Sequence, residues 1–159
     1  MTIPSSTRSM PNKTTANSTS WKLELTGKLD KIEFINDTDV TVVDFKTGKP
    51  KSRNAMTGDT ASGDSNYARQ LAFDKLLLDT SESGLNMVHG EIDFIEPTDA
   101  GTYKKERFEI SDEEVNEVKR EILAMAEDIM SLEFTTRTCG EKDCSHCALG
   151  RILMDAGRG

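Results

Sequence analysis

The stretch from Val40 to Lys49 constrains the fold more than any other part of the chain, because it joins an apolar run to charged residues. The β-branched residues Val40 to Val43 favour a buried strand. Asp44 and Lys46 follow two residues apart, and alternate residues of a strand share a face. Turn-forming residues from Thr47 to Pro50 then end the strand. The sequence therefore predicts a carboxylate and an ammonium group side by side at a strand end, where they can hold a metal ion and steady an anion next to it.

A second strand is predicted immediately upstream, from Leu23 to Ile35, with Asp30 among its apolar residues. The turn-rich link from Asn36 to Asp39 predicts a hairpin, which as a whole runs from about Trp21 to Lys46. In an antiparallel pair, Asp30 can lie across from the Asp44 region. Two carboxylates from neighbouring strands suit Mg²⁺ or Mn²⁺, which prefer hard oxygen ligands and retain several waters.

The remaining elements are predicted from periodicity and from turn and capping residues. The Ser/Thr/Asn/Pro-rich residues 1–20 indicate a disordered leader. After the first hairpin we expect a loop over residues 50–65, with Asp64 or Ser65 as the N-cap of a helix over 66–79, and then a second hairpin of strands 85–95 and 102–110. A further helix is predicted from the capping box at Ser111 to about Met130, and a cysteine-containing tail over 136–159. The face of this helix that should pack on the core carries Val115, Val118, Ile122, Met125 and Ile129.

Length and charge bound the class of protein. The 159 residues suffice for one α/β domain, and no apolar run approaches the ~20 residues of a membrane helix. Without a signal-peptide segment, the expected compartment is the cytoplasm. The net charge of −8 argues against a protein that grips nucleic acid with its whole surface. Lys46, Lys49, Lys51 and Arg53 nevertheless form a local basic strip, for which a solvated lysine-rich loop is the simpler interpretation on charge alone.

Three motifs in order resemble the core of the PD-(D/E)XK nuclease superfamily: Gly27-x-x-Asp30, the D-x-K-T-G-K run from Asp44 to Lys49, and the helical Tyr67-Ala-Arg-Gln-Leu71. The most similar branch is the RecB-like nuclease domain of AddAB/UvrD-type helicase-nucleases. The likeness covers roughly Leu23 to the C-terminus, and it implies a nuclease core over residues 21–135 that is followed by the tail. It implies an α/β, restriction-endonuclease-like core with a mixed central β-sheet flanked by helices. It also implies divalent-metal-dependent hydrolysis of DNA phosphodiester bonds in repair or recombination, with DNA and a helicase domain or subunit as partners.

The same resemblance assigns the site residues. Asp30 and Asp44 would hold Mg²⁺ or Mn²⁺, helped by the backbone carbonyl of Phe45. Lys46 would orient the attacking water or neutralise charge on the phosphate, and Gln70 would position the strand. The predicted DNA contacts are Lys49, Lys51, Arg53 and Arg69. The family carries a tyrosine four residues after the glutamine, where this chain has Asp74, and a surface position on an amphipathic helix remains the alternative for Gln70.

The tail contains Cys139, Cys144 and Cys147. These can supply three thiolates, but zinc or an iron–sulfur cluster needs a fourth ligand. His146 adjoins Cys147, which makes simultaneous ligation awkward, and His89 is more simply a structural histidine. Some RecB-like nucleases staple such a tail to an upstream cysteine with a 4Fe–4S cluster, and this chain has no upstream cysteine. A staple without metal, a zinc site with a borrowed ligand and a cluster therefore all stay open.

Two rival functions stay open beside the nuclease. One is an inactive nuclease-fold module that binds DNA or a helicase partner. Asp74, the incomplete cysteine set and the lack of a recognisable helix before Trp21 favour it, and the last feature suggests a fragment of a larger protein. The other is a zinc-stapled interaction domain.

Overall fold

The computed structural model describes residues 23–58 and 66–133, together with residues 137, 139–141, 143–145, 147–148 and 152. The leader, the start at Trp21, the N-cap at Asp64 or Ser65, and His146 lie outside these residues. The elements in chain order are β1 (Lys31–Phe34), β2 (Asp39–Lys46), α1 (Arg53–Thr57), α2 (Asn66–Thr80), β3 (Asn86–Phe94), β4 (Lys104–Phe108) and α3 (Asp112–Ser131). The chain divides into two units, residues 1–119 and 120–159.

One sheet of four strands organises the first unit, in the order β1-β2-β3-β4. The outer pairs β1/β2 and β3/β4 are antiparallel, as the two predicted hairpins require. The central pair β2/β3 is parallel, and a parallel pair needs a crossover, here made through α1 and α2. The predicted fold class, an α/β fold with a mixed sheet flanked by helices, is confirmed.

Helix α2 is seated against the sheet by two glycines. A Cβ at Gly90 of β3 would lie 2.9 Å from both methyl carbons of Leu71, and a Cβ at Gly27 would collide with Leu77 Cδ1. Glycine in a strand often marks such a close approach. Leu71 and Leu77 belong to a core that also contains Val40, Val42, Ile92 and Phe94. The glycines therefore fix the height of the helix above the end of β2.

The upstream strand is shorter than predicted. Strand β1 covers only Lys31–Phe34, and residues 23–30 are irregular apart from a single bridge at Lys28. The physical reason lies at Asp30, whose carboxylate accepts the Phe45 N–H at 3.1 Å. A side chain takes the place of a ladder carbonyl there, and short acidic side chains compete with regular structure in this way.

The loop predicted over residues 50–65 is wrong for its first part, which forms α1. Ser52 caps the helix by accepting the Ala55 N–H at 3.3 Å, and Gly58 ends it with φ of 82°. Met56 is fully buried and ties this single turn to the core. The helix is too short for an apolar period to show in the sequence.

The capping box of α3 is present as predicted. Glu114 Oε2 accepts the Ser111 N–H at 2.7 Å, and Ser111 Oγ accepts the Glu114 N–H at 3.3 Å. The core-facing stripe is confirmed only for Val115 and Val118, which are buried. Met125 and Ile129 are 57% and 53% exposed, so the prediction that they pack in a core is wrong. None of the described helices is long and apolar enough to span a membrane.

Candidate active site

Asp44, Lys46 and Gln70 form a closed set of contacts at the end of β2. Gln70 Nε2 donates to Asp44 Oδ1 at 2.5 Å, and Lys46 Nζ donates to Gln70 Oε1 at 2.6 Å. Lys46 Nζ also lies 2.7 Å from Asp44 Oδ2. A carboxylate can only accept and an ammonium can only donate, so the chemistry of the two neighbours fixes the orientation of the amide.

The local sequence explains this arrangement. Strand alternation sends Asp44 and Lys46 to the face that carries α2. Gln70 directly precedes Leu71, the residue seated on Gly90, so the packing of α2 brings its amide to the strand end. The residue as a whole is exposed, as a surface position would be, but its side chain bridges the two charged groups.

Asp30 reaches the same region from the bend before β1. Its Oδ2 accepts the Phe45 N–H at 3.1 Å. The N–H and C=O of one strand residue point to the same side, so the Phe45 carbonyl points toward the edge that carries Asp30. The Lys46 carbonyl points the other way and accepts the Ile95 N–H of the β3 side at 3.0 Å.

Asp74 is a further member of the site that the sequence did not reveal as such. It lies one helical turn after Gln70 and is only 7% exposed. Burial, followed by the charges of Asp44 and Asp30, raises the pKa of the Asp74 carboxyl to about 7, and Lys46 opposes the rise. All three acids therefore act on one small region. The i, i+4 spacing from Gln70 was the available signal, because residues four apart share a helix face.

The donor set fits a divalent cation. Asp44 Oδ2 is buried and has no hydrogen-bond partner among the described residues, since Lys46 approaches it at ion-pair distance but outside hydrogen-bond geometry. A desolvated carboxylate oxygen without a donor is costly unless a cation meets it, and here the Lys46 ammonium at 2.7 Å is one such cation beside which a divalent ion can bind. The oxygens of Asp30, Asp44 and Asp74 do not all lie within 4.8 Å of one another. Water would therefore complete the coordination of a bound ion, as Mg²⁺ commonly requires.

Comparison with protein families decides the identity of the domain. The family model of the PD-(D/E)XK nuclease superfamily matches residues 5–152. The chain belongs to the PD-(D/E)XK nuclease superfamily. No curated protein and no solved structure matches it significantly. The match includes most of the segment predicted to be a leader.

Tyr67 adds an aromatic wall to the site of this PD-(D/E)XK domain. Lys46 Nζ and Lys51 Nζ lie 5.4 and 5.1 Å from the centre of its ring, which is cation–π distance. The ring also packs on Phe94 with 6.3 Å between centroids. The sequence reasoning treated Tyr67 as an apolar helix position, because no local pattern shows that two lysines from the preceding strand and loop meet its ring.

The predicted DNA contacts of the PD-(D/E)XK domain fall into two groups. The Lys49 side chain is 84% exposed and its ammonium lies 3.6 Å from Asp99, and Arg69 is exposed on α2. Arg53 is also exposed, but its guanidinium is engaged by β4. Its guanidinium donates to the Arg107 carbonyl at 2.9 Å and to Glu106 at 3.2 Å, and it lies 4.4 Å from the centre of the Phe108 ring.

A cavity of about 380 Å³ lies along β4, lined by Arg53, His89, Arg107, Phe108 and Glu109. None of the acids at the end of β2 lines it, so the cavity is separate from the candidate active site. His89 Nδ1 is buried there without a hydrogen-bond partner in the described part of the chain.

The tail cysteines of the PD-(D/E)XK chain converge within the second unit. The sulfurs of Cys139, Cys144 and Cys147 all lie within 4.8 Å of one another. The Cys139 N–H donates to Cys147 Sγ at 3.2 Å and by itself lowers the pKa of that thiol, but the Cys139 and Cys144 side chains together with desolvation outweigh this contact, so the pKa of Cys147 is raised. Gly140 takes φ of 80°, which turns the chain directly after the first cysteine. Among the described residues no fourth ligand joins this set, and His89 is not part of it.

Proposed function

We propose that this domain hydrolyses DNA phosphodiester bonds with the help of Mg²⁺ or Mn²⁺, in the manner of RecB-like nuclease domains. Membership in the PD-(D/E)XK superfamily supports metal-dependent phosphodiester hydrolysis as the reaction class. The observation that carries the proposal is the contact of Asp44 with both Lys46 and Gln70 at the end of β2, next to Asp30.

The ion would be held by Asp44 Oδ2, Asp30 and the Phe45 carbonyl. When bound, such an ion polarises the phosphate and lowers the pKa of a coordinated water. Oδ1 of Asp44 is engaged by the Gln70 amide, so Oδ2, which lies 2.7 Å from the Lys46 ammonium, is the oxygen that an ion would share with the lysine. Gln70 is thus a positioning residue for the metal ligand.

Lys46 supplies the fixed positive charge. Its ammonium has three N–H donors, of which one points to Gln70 and another faces Asp44. The third is available for a phosphate oxygen or for the attacking water. In a partly buried site this donor stabilises the negative charge that develops on the phosphate during hydrolysis.

The substrate and partner follow from the resemblance and from local charge. Lys49 and Lys51 lie close to the site in sequence and offer cations to a nucleic-acid backbone, although the chain as a whole carries a net charge of −8. The D-x-K-T-G-K and R-Q-L motifs support the RecB-like branch, so we extend the proposal to a cytoplasmic role beside a helicase domain or subunit in DNA repair or recombination.

The central experiment measures cleavage of single- and double-stranded DNA in Mg²⁺ and in Mn²⁺. Wild type is compared with Asp44→Ala, Lys46→Ala and, as a matched acid control, Asp99→Ala, whose side chain is 97% exposed. We expect cleavage by wild type and by the control, and a loss of at least a hundredfold in the two site variants. Absence of cleavage by wild type on every substrate would exclude the enzyme.

An inactive nuclease-fold module that binds DNA or a helicase is the second candidate. The buried Asp74 favours it, because that position carries an acid where the family carries a tyrosine. It predicts DNA binding without cleavage. A Mn²⁺ titration followed by thermal unfolding separates the two, since a cation site stabilises wild type and Asp30→Ala loses that stabilisation.

The three thiols support a second metal site of another kind. Thiolates select zinc or iron–sulfur clusters, and the clustered sulfurs fit either class once a fourth ligand is supplied. We propose zinc, because four-coordinate zinc sites commonly combine three cysteine thiolates with one ligand of another kind. Elemental analysis of protein grown in zinc- and iron-supplemented medium should find one zinc per chain, and Cys147→Ser should lose it. Iron with equivalent sulfide would identify a cluster instead, and absence of both metals would leave a thiol staple alone.

A further inference from the structure

Asp74 is an acid that the proposed catalytic roles leave unused. It sits in α2 among buried residues, and the structure gives its carboxyl no hydrogen bond or ion pair with the described residues. Leucine or alanine would fill such a helix position without cost, whereas an acid buried without a partner is destabilising. Either a proton on the carboxyl or a cation beside it relieves that cost.

The charged groups around Asp74 do not sum to zero. The negative charges of Asp44 and Asp30 repel an ionised Asp74, and the positive charge of Lys46 attracts it. Three ionised acids against one lysine leave two negative charges without compensation. A single divalent cation supplies that amount, and a buried set of acids binds one more strongly as its negative charge grows.

We propose that Asp74 is the third acid of the divalent-cation site, where it tightens binding through its charge and through the water that the ion retains. A direct bond to the same ion as Asp30 and Asp44 does not fit, because the three carboxylates are not gathered within 4.8 Å. This inference rests on the proposed metal-dependent function. It assigns to α2 a part in holding the ion, beside the positioning contact of Gln70.

The test is a Mn²⁺ titration at pH 8 by isothermal calorimetry, repeated by thermal shift. Asp74→Asn is compared with wild type and with Asp79→Asn, which makes the same chemical change on the same helix at a residue that faces Lys75. Removing one negative charge near a divalent ion should weaken Mn²⁺ binding about tenfold. Asp79→Asn should bind like wild type, and Asp74→Glu, which keeps the charge, should stay within about threefold of it.

The outcomes separate this inference from the function it rests on. Wild-type affinity in Asp74→Asn, with binding abolished in Asp44→Asn, overturns the role of Asp74 and leaves the metal site standing. Weakened binding in Asp79→Asn as well would reduce the effect to general charge and also overturn it. No Mn²⁺ binding by wild type overturns both. Asp74→Asn has a neutral side chain of the same size, so folding is expected, and Asp74→Ala, which also removes the charge, provides the measurement should it fail.

Discussion

The smallest unit of the site is the Gln70 amide, which spans from Lys46 to Asp44. Both of its contacts are charge-assisted, at 2.6 and 2.5 Å, and such bonds contribute about 1.5–3 kcal/mol each. The amide therefore does more than fill space between two charges. It sets which oxygen of Asp44 remains available and where the lysine ammonium points.

A change of that amide to an acid is the sharpest test of its role. Gln70→Glu replaces the donor with a carboxylate facing Asp44, so we expect metal-dependent cleavage to fall by about tenfold to a hundredfold. Asn66→Asp makes the same amide-to-acid change on α2 and should cleave like wild type. Cleavage rates in saturating Mn²⁺ provide the measurement. Equal rates for Gln70→Glu and wild type would mean that the bridge is dispensable.

Asp74 predicts a pH dependence of stability in the absence of metal. Its folded pKa of about 7 lies above the ordinary value of 3.8, so the folded state binds a proton that the unfolded state has lost between these pH values. The free energy of unfolding must then fall as pH rises from 3.8 to about 7, by at most ~4 kcal/mol from this group. Asp74→Asn removes the loss.

Urea denaturation in a chelator at pH 5 and pH 8 measures the effect. The gain in stability of Asp74→Asn over wild type should be larger at pH 8 than at pH 5, because only wild type then carries the buried charge. A gain that does not change with pH would show that Asp74 titrates near its ordinary value.

Among the elements, α2 connects the core to the chemistry. It contributes Leu71 and Leu77 to the hydrophobic cluster and Gln70 and Asp74 to the site. The close fit of the leucines over Gly90 and Gly27 leaves the helix little freedom to rise from the sheet. Core packing and the geometry of the candidate site are coupled through this one helix.

Gly90→Ala tests that coupling. The new Cβ would meet the methyl carbons of Leu71 at 2.9 Å, which should cost about 1–3 kcal/mol of stability and shift Gln70 enough to lower cleavage. Adding Leu71→Val makes room, so the double variant should be more stable than the sum of the two single changes predicts. Gly48→Ala, which has nothing within 4 Å, is the control. Denaturant unfolding and cleavage rates measure the two effects. Wild-type stability and cleavage in Gly90→Ala would contradict the coupling between packing and the candidate site.

Some of these elements and contacts could be predicted from the sequence, and others could not. Strong local patterns placed β2, α2 and the α3 capping box, since period and caps depend only on neighbours. The contact of Asp44 with Lys46 followed from strand alternation. Two features arise from tertiary packing that leaves no local signature. They are the Asp30 carboxylate in place of a ladder carbonyl, and the approach of Asp74 to acids from β2 and from the bend before β1.

For the whole molecule, an acidic surface with a small basic strip limits how DNA can bind. With a net charge of −8, contact must be confined to a few phosphates, so the affinity should depend only shallowly on salt. Lys49 and Lys51 are exposed, whereas Arg53 is occupied by β4. The basic strip therefore contains exposed lysines that can meet phosphates and an arginine that is already engaged by β4.

Salt titrations of DNA binding distinguish these cations. In an Asp44→Asn background without turnover, Lys49→Gln and Lys51→Gln should each lower the slope of log affinity against log salt by about one. Arg53→Gln should leave the slope unchanged and lower the melting temperature instead. A reduced slope in Arg53→Gln would place its guanidinium on the DNA.

The anchoring of Asp30 has a consequence for dynamics. Its carboxylate joins β2 through one backbone N–H, and the strand that follows it is a four-residue edge of the sheet. Short edge strands open by local fraying long before a domain unfolds. Each such opening would carry Asp30 away from the proposed ion. A bound ion should therefore stabilise the edge strand against local opening and slow amide hydrogen exchange in Lys31–Phe34.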